Sequence, residues 1–518
     1  MYLKPNAPAA AAAGKSVIGF NVIQGREVEG DLGMIESRSA ADRRDLVGMF
    51  PDSGEKDVAR AARAAAEALP AWSAVPLAER QALLWRTADL LVRHEAKLIR
   101  ILVREIGMTP REAGAELAEA AGACRAFARI QPGAPPSDPA LRRRPVGVCG
   151  LLATGSTPLA APLRKILPAL LGGNTVTWKP SDNAPTAAYL LLRILMEAGL
   201  PPGVVNTVNG KGRAGCGKHF LAGIDRGHYQ AFSFVGSAGL GATVGELCGR
   251  RLIPADLDLA GKGTMLVLPD GDLDRAAQDA LAAAFGQAGQ HPVGLANLLV
   301  HEACAGALRQ RLLDGIAALV VGNPLADPAV AVGPLMNARL ATAFRDHWEA
   351  ARGEGATLLS GGEAWSEANR TDRVRGDIAH GAYLQPCLWE GVTPAMAQFR
   401  NQAPGPFLNL CVVKDFDEGL TWMAQAPSRL AAHLYTGDRA LAGRFRREVR
   451  ADLVGINAPA GHAEGRLPFA GLGTGPGLRP ALDGFSRWQI LAGDSEEDAA
   501  PETQPLAPGT LKTDWDGL

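Results

Sequence analysis

From about residue 144 the chain alternates short apolar runs with longer amphipathic ones, and that alternation limits the fold more than any other feature. RPVGVCGLLA reads as a strand, TPLAAPLRKILPALLGG as a helix and NTVTWKP as a strand. APTAAYLLLRILMEAGL is a helix, GVVNTVNG and QAFSFVG are strands, and SAGLGATVGELCG is a helix. Strands separated by helical stretches form βαβ units, so the sheet is largely parallel and doubly wound. A second run starts at 263 with TMLVLP, DLDRAAQDALAAAFGQ and ANLLVHE, then a helix to about 320. It ends in LAAHLYTGD and DLVGINAPAG, which predicts a second α/β domain. Upstream, residues 55–68, 77–106 and 110–131 carry apolar residues at helical spacing. Thr109-Pro110-Arg111-Glu112 is a capping box with proline in the first turn, and Gly107 suits the stop of the helix before it.

At 518 residues the chain is long enough for two or three domains. Its net charge of −1 gives no pull toward nucleic acid or an anionic membrane, and no apolar run reaches the roughly 18 residues of a spanning helix. The seven cysteines are scattered without a CxxC pair, which predicts buried thiols in a reducing, cytoplasmic setting. The histidines lack metal-ligand spacing, so no metal site is expected. Residues 1–16 read as a disordered arm. Residues 494–518 carry seven acidic residues and one lysine among prolines and read as a solvated tail, in which Trp515 is a candidate anchor for a partner.

Glycine motifs mislead here. Gly210, Gly212 and Gly215 form GxGxxG, and Gly212 to Lys218 form GxxxxGK. Either could cradle phosphate on backbone N–H groups. The second ends in His219 where a P-loop needs Ser or Thr, and the first lacks a clear acidic residue about 20 positions on. A surface turn before a helix is the better reading.

Seven segments together resemble the aldehyde dehydrogenase superfamily. They are 145–188, 197–210, FSFVGSAGLG (232–241), LDLAGKGTMLVLPDGDLDRA (257–276), FGQAGQ (285–290), VGNPLADPAVAVGPLMN (321–337) and LPFAGLGTGPG (467–477), in family order over roughly 17–492. The resemblance implies two doubly wound α/β domains and a small β oligomerisation flap. Residues 17–131 and 150–257 would form the nucleotide-binding, Rossmann-like domain and 258–455 the catalytic-type domain. Segments 132–149 and 456–492 would bridge subunits, and 493–518 would be the acidic tail.

Members of that family oxidise aldehydes with NAD(P) through a cysteine thiolate, oxyanion donors and a general base. The nucleophile follows a Gly-Gln pair by two residues, which here puts Pro292 after Gly289-Gln290. Proline offers no nucleophilic atom and no backbone N–H, which the family uses as an oxyanion donor. The other donor, an amide in a Trp-Asn-x-Pro turn, is replaced by Ser156 in Gly155-Ser156-Thr157-Pro158. The base position falls on Asp258 in DLAGK. His291 is the one nucleophile-capable neighbour of Pro292, and Cys304 lies beyond the next strand.

On the cofactor side, Lys179 matches the lysine that holds the adenine ribose, and Asp182 replaces a usual Glu. Gly236 and Ser237 match the pair that opens a helix under the pyrophosphate, with Gly241 completing the turn. The Glu of the family's Glu-x-Phe-Gly-Pro segment is replaced by Gln402, and its Phe by Pro404. The resemblance therefore implies NAD or NADP binding that is weakened on the nicotinamide side. It also implies a dimer or tetramer, or a hetero-oligomer with an active relative. The leading expectation is a pseudoenzyme used as a structural or regulatory subunit. The alternative is an NAD(P)-dependent oxidoreductase of aldehydes or lactols, working non-covalently with Asp258 as base.

Overall fold

A computed structural model describes residues 15–130, 141–212, 215–400, 403–427, 430–458, 478–490 and 513–515. Gln402, the segment LPFAGLGTGPG, nearly all of the N-terminal arm and most of the acidic tail lie outside them.

Two seven-stranded sheets organise the chain. The first runs in the order Ala255–Ala260, Ala231–Ser237, Val148–Leu152, Thr175–Lys179, Val205–Thr207, Asn21–Ile23, Arg26–Val28. Its first five strands are parallel, and the hairpin Asn21–Ile23/Arg26–Val28 adds an antiparallel edge. Val148–Leu152 and Thr175–Lys179 are buried at every residue, as expected for central strands covered on both faces. The chain lays down Val148–Leu152, builds outward to Thr175–Lys179 and Val205–Thr207, then returns to place Ala231–Ser237 on the opposite side. A doubly wound sheet of this order has its ligand crevice at that reversal, beyond the carboxyl ends of the two diverging strands. Those ends lead into the turn holding Ser156 and the turn Gly236–Ser237.

The second sheet runs in the order Thr357–Ser360, Cys387–Glu390, Phe407–Val413, Leu295–His301, Gly263–Val267, Ala431–Tyr435, Leu453–Ile456, and only its first strand is antiparallel. Ala255–Ala260, an edge of the first sheet, passes through Gly261 and Lys262 into Gly263–Val267, a central strand of the second. Two residues thus carry the chain between the sheets, and the amino ends of Gly263–Val267 and Leu295–His301 face that junction. A separate ribbon pairs Leu141–Pro145 with Ser486–Ile490 and exposes Trp488 and Ile490.

The expected helix over 77–106 is two helices, Leu77–Arg93 and Glu95–Ile106, with His94 at φ −98° and ψ 17° between them. Apolar spacing continues through the break, and no glycine or proline marks it. The capping box at Thr109 forms: its hydroxyl accepts from Glu112 N–H, and the Glu112 carboxylate accepts from Thr109 N–H.

Candidate functional site

Ala255–Ala260 alternates acidic and apolar residues, so Asp256 and Asp258 share one face of a strand. That face meets Lys165 on the helix Ala160–Leu171. The ammonium lies 3.1 Å from Asp256 and 3.7 Å from Asp258, with all three residues buried. Asp256 also accepts from the Ser233 hydroxyl at 3.2 Å. Asp258 has only the longer ion contact, and its Oδ2 has no hydrogen-bond partner. Val235 lies opposite Asp258 and Gly236 opposite Leu259, so the carboxylate sits one strand away from the turn at Gly236–Ser237.

The second sheet supplies the turn 286–294. Gln287 and Ala288 are left-handed at φ 50° and 54°, and Gly289 follows at φ 71°. A Cβ on Gly289 would stand 1.9 Å from the Gly405 carbonyl oxygen, so glycine is required there on both counts. Gly261 N–H donates to the Pro292 carbonyl at 3.2 Å, and Gly263 N–H donates to the Gly294 carbonyl at 2.6 Å. These bonds tie the turn to the segment just after Asp258. Lys262 is buried beneath, donating to the Gly405 carbonyl at 2.6 Å and lying 3.9 Å from the centre of the Phe407 ring. Burial pushes its amine down to about 7.

The helix Pro110–Ala128 covers this turn and presents three carboxylates: Glu112, read from sequence only as a capping residue, and Glu116 and Glu119, which sequence reading missed. Glu112 also accepts from Gln287 N–H at 2.7 Å. Glu116 accepts from the N–H groups of Leu159 and Ala160, both at 2.9 Å, and so caps the helix that carries Lys165. Glu119 pairs with Arg164 on that same helix. Burial, reinforced by Glu119, pushes the Glu116 carboxyl up to about 8. His291 is partly buried, with Nδ1 accepting from Val293 N–H at 3.3 Å. Burial lowers its pKa, opposed by Glu119 and Glu112 and helped by Arg164, so the imidazole is neutral near pH 7. The available signal was a glutamate at 116 on a helix face that otherwise buries apolar residues and Cys124.

Ser156 is buried, with its hydroxyl 3.1 Å from that of Thr154. The space beside it is narrow and lined by Ile106, Gly107, Met108, Gln287, Gln290 and Met336. All seven cysteines are buried, Cys304 included, and burial raises the pKa of every one.

On the first sheet, Lys179 is buried and donates to the Pro180 carbonyl at 2.9 Å. Burial lowers its pKa, and the nearby carboxylates, Asp182 first, partly offset that. The Asp182 carboxylate accepts from Gly212 N–H at 3.0 Å, and Asp52 accepts from Lys211 N–H at 3.1 Å. The N–H groups of the glycine loop are thus turned to acidic side chains, an arrangement opposed to phosphate binding. Ser237 stands at the N-cap of Ala238–Arg251 without a side-chain capping bond, and no acidic residue occupies the first turn. Ser237, Ala238 and Gly239 are exposed, and a Cβ on Gly239 would meet nothing within 4 Å. Gly241 is buried against Leu259, where a Cβ would approach to 2.2 Å. An uncapped, open helix start at the same carboxyl edge of the sheet as the buried Lys179 fits a dinucleotide pyrophosphate and its ribose. Among the described residues no cluster of His, Cys, Asp and Glu suits a metal.

The sequence pattern of the aldehyde dehydrogenase family matches residues 28–477. The chain belongs to the aldehyde dehydrogenase family. It is 30% identical over 464 residues to an alpha-ketoglutaric semialdehyde dehydrogenase of Bacillus subtilis, covering 88% of this chain and 92% of that one. It is 28% identical over 444 residues to a glutarate-semialdehyde dehydrogenase of Pseudomonas putida, covering 84% and 88%. The fold is that of an NAD-dependent aldehyde dehydrogenase from Sinorhizobium meliloti, at a TM-score of 0.82 and 26% identity over 93% of this chain and 97% of that one. Within this aldehyde dehydrogenase fold, the structure brings Asp258, Ser156 and Pro292 to the junction of the sheets and Lys179, Asp182, Gly236, Ser237 and Gly241 to the carboxyl ends of the first. No described helix is long and apolar enough to cross a membrane.

Proposed function

We propose that this aldehyde dehydrogenase-family chain is an NAD(P)-dependent oxidoreductase of aldehydes or lactols that works without a covalent thiol step. The observation that carries the reading is Asp258: a buried carboxylate held by a 3.7 Å ion contact with Lys165 and by no hydrogen bond at Oδ2, on the strand beside Gly236–Ser237. Relatives matched over about nine tenths of their length are named as dehydrogenases, which supports an oxidoreductase over the expected pseudoenzyme.

Lys179 and the open start of Ala238–Arg251 would hold the dinucleotide. NAD(P), when bound, supplies a hydride acceptor. The Asp258 carboxylate takes the hydroxyl proton of a hydrated aldehyde or a lactol as the carbon bearing that hydroxyl is oxidised. Lys165, 3.7 Å away, holds that carboxylate in place. Ser156 offers a hydroxyl to the substrate oxygen, exchanging its contact with Thr154. A base in this role contributes about 10²–10⁴ in rate. The thiol-free part of the reading is supported by Pro292 at the family's nucleophile position and by seven thiols that burial keeps protonated. The test is reduction of NAD and of NADP against a panel of aldehydes and lactols, with Asp258→Ala beside the parent chain. Turnover that this substitution abolishes is expected. No reduction with any substrate, or an unaffected variant, overturns the proposal.

A second reading, a non-catalytic subunit assembled with itself or with an active relative, is favoured by the narrow space beside Ser156. It requires that the same panel give no turnover.

A further inference from the structure

Thr513 and Trp515, among the last described residues, touch partners more than 300 residues away along the chain. Trp515 stacks on His94 with ring centres 3.7 Å apart and planes 12° from parallel. Its Nε1–H donates to Glu197 Oε2 at 2.9 Å. Two residues earlier, the Thr513 hydroxyl accepts from Arg193 Nε, also at 2.9 Å. The indole packs on the apolar cluster between the helices of the first sheet.

The slot has a definite construction. His94 occupies the break between Leu77–Arg93 and Glu95–Ile106, and its side chain is largely enclosed. Glu197 is the last residue of Pro185–Glu197, and Arg193 lies one turn earlier on that helix. An aromatic wall, an acceptor for an indole N–H and a donor for a hydroxyl thus face three matching groups. Tryptophan brings a large apolar area and one directional donor, which makes it a strong anchor for an otherwise polar segment.

We propose that this slot is a recognition site for the segment Thr513-Asp514-Trp515, filled in cis, so that this segment acts as a tethered peptide ligand. Tethering raises the local concentration of such a ligand to the order of millimolar, so the intact chain excludes free peptide that an emptied slot accepts.

The test uses the full chain, its Trp515→Ala variant and a fluorescein-labelled peptide of residues 509–518, read by fluorescence anisotropy. The expected result is saturable binding to W515A that is at least about tenfold weaker to the parent chain and is lost in W515A carrying His94→Ala. If that double variant fails to fold, Glu197→Ala in the W515A background provides the same comparison. Equal binding to parent and W515A, or no binding to W515A at millimolar peptide, overturns the proposal. Light scattering tests the cis assignment: an unchanged mass for W515A supports it, and a smaller assembly overturns it in favour of exchange between copies.

Discussion

Lys165 is one cation shared by two buried carboxylates, 3.1 Å from Asp256 and 3.7 Å from Asp258. Removing it leaves two like charges uncompensated in the interior. Lys165→Met should therefore destabilise the fold by about 3–5 kcal/mol, the usual consequence of breaking a buried pair. Urea unfolding measures this directly. A loss below about 1 kcal/mol would mean that solvent reaches the cluster.

The two aspartates should separate stability from activity. Asp256 holds the lysine and the Ser233 hydroxyl, whereas Asp258 Oδ2 has only the longer ion contact and no hydrogen bond. Asp256→Asn is expected to lower the unfolding midpoint more than Asp258→Asn. Asp258→Asn should instead reduce kcat by about 10²–10⁴. Parallel melts and rates on both variants check this, and the reverse ranking would move the base to Asp256.

Glu116 makes stability depend on pH. Its folded pKa of about 8 lies above the unfolded value of 4.5, because of burial and the neighbouring Glu119. Between those values the folded state binds the extra proton, so this group's contribution declines as pH rises from about 4.5 through 8. Glu116→Gln keeps an oxygen for Leu159 and Ala160 N–H without the ionisation. The variant should gain on the parent chain as pH rises, by an amount on the order of a few kcal/mol at pH 8. Denaturation at pH 5 and pH 8 reads the difference, and a parallel pH dependence in both proteins would contradict it.

Gly289→Ala should be among the most damaging single changes in the turn. The new Cβ would meet the Gly405 carbonyl at 1.9 Å, on a backbone at φ 71°. Overpacking and left-handed strain together predict a loss of about 2–5 kcal/mol. Gly306→Ala, on an open helix face, serves as the mild control. Equal effects of the two changes would show that the turn relaxes freely.

The α/β alternation was legible because buried parallel strands leave unmistakable apolar runs, as at Val148–Leu152 and Thr175–Lys179. Asp258 was legible through its register with Pro292. The break at His94 was not, because tertiary packing interrupts a helix whose apolar spacing continues unbroken. Lys165 and Glu116 were also hidden: each lies on a buried helix face, and their partners are 91 and 43 residues away. The strand Ala255–Ala260 did leave a signal, since the acidic and apolar residues of ADLDLA alternate with period two. The glycine motif at 210–215 reads as a surface turn from its missing Ser or Thr and missing acidic partner; that Asp52 and Asp182 accept from Lys211 and Gly212 N–H could be seen only in three dimensions. Trp515 stood out as an anchor, but its receptor on the same chain could be seen only in three dimensions.

The central claim is oxidation of an aldehyde-level carbon with Asp258 as base and no thiol in the reaction. The most direct measurement is the rate of NAD or NADP reduction by the native chain before and after exhaustive treatment with iodoacetamide, with Asp258→Asn in parallel. The account predicts turnover that survives alkylation and falls about 10²–10⁴-fold in the variant. Turnover abolished by iodoacetamide and indifferent to Asp258→Asn would contradict it.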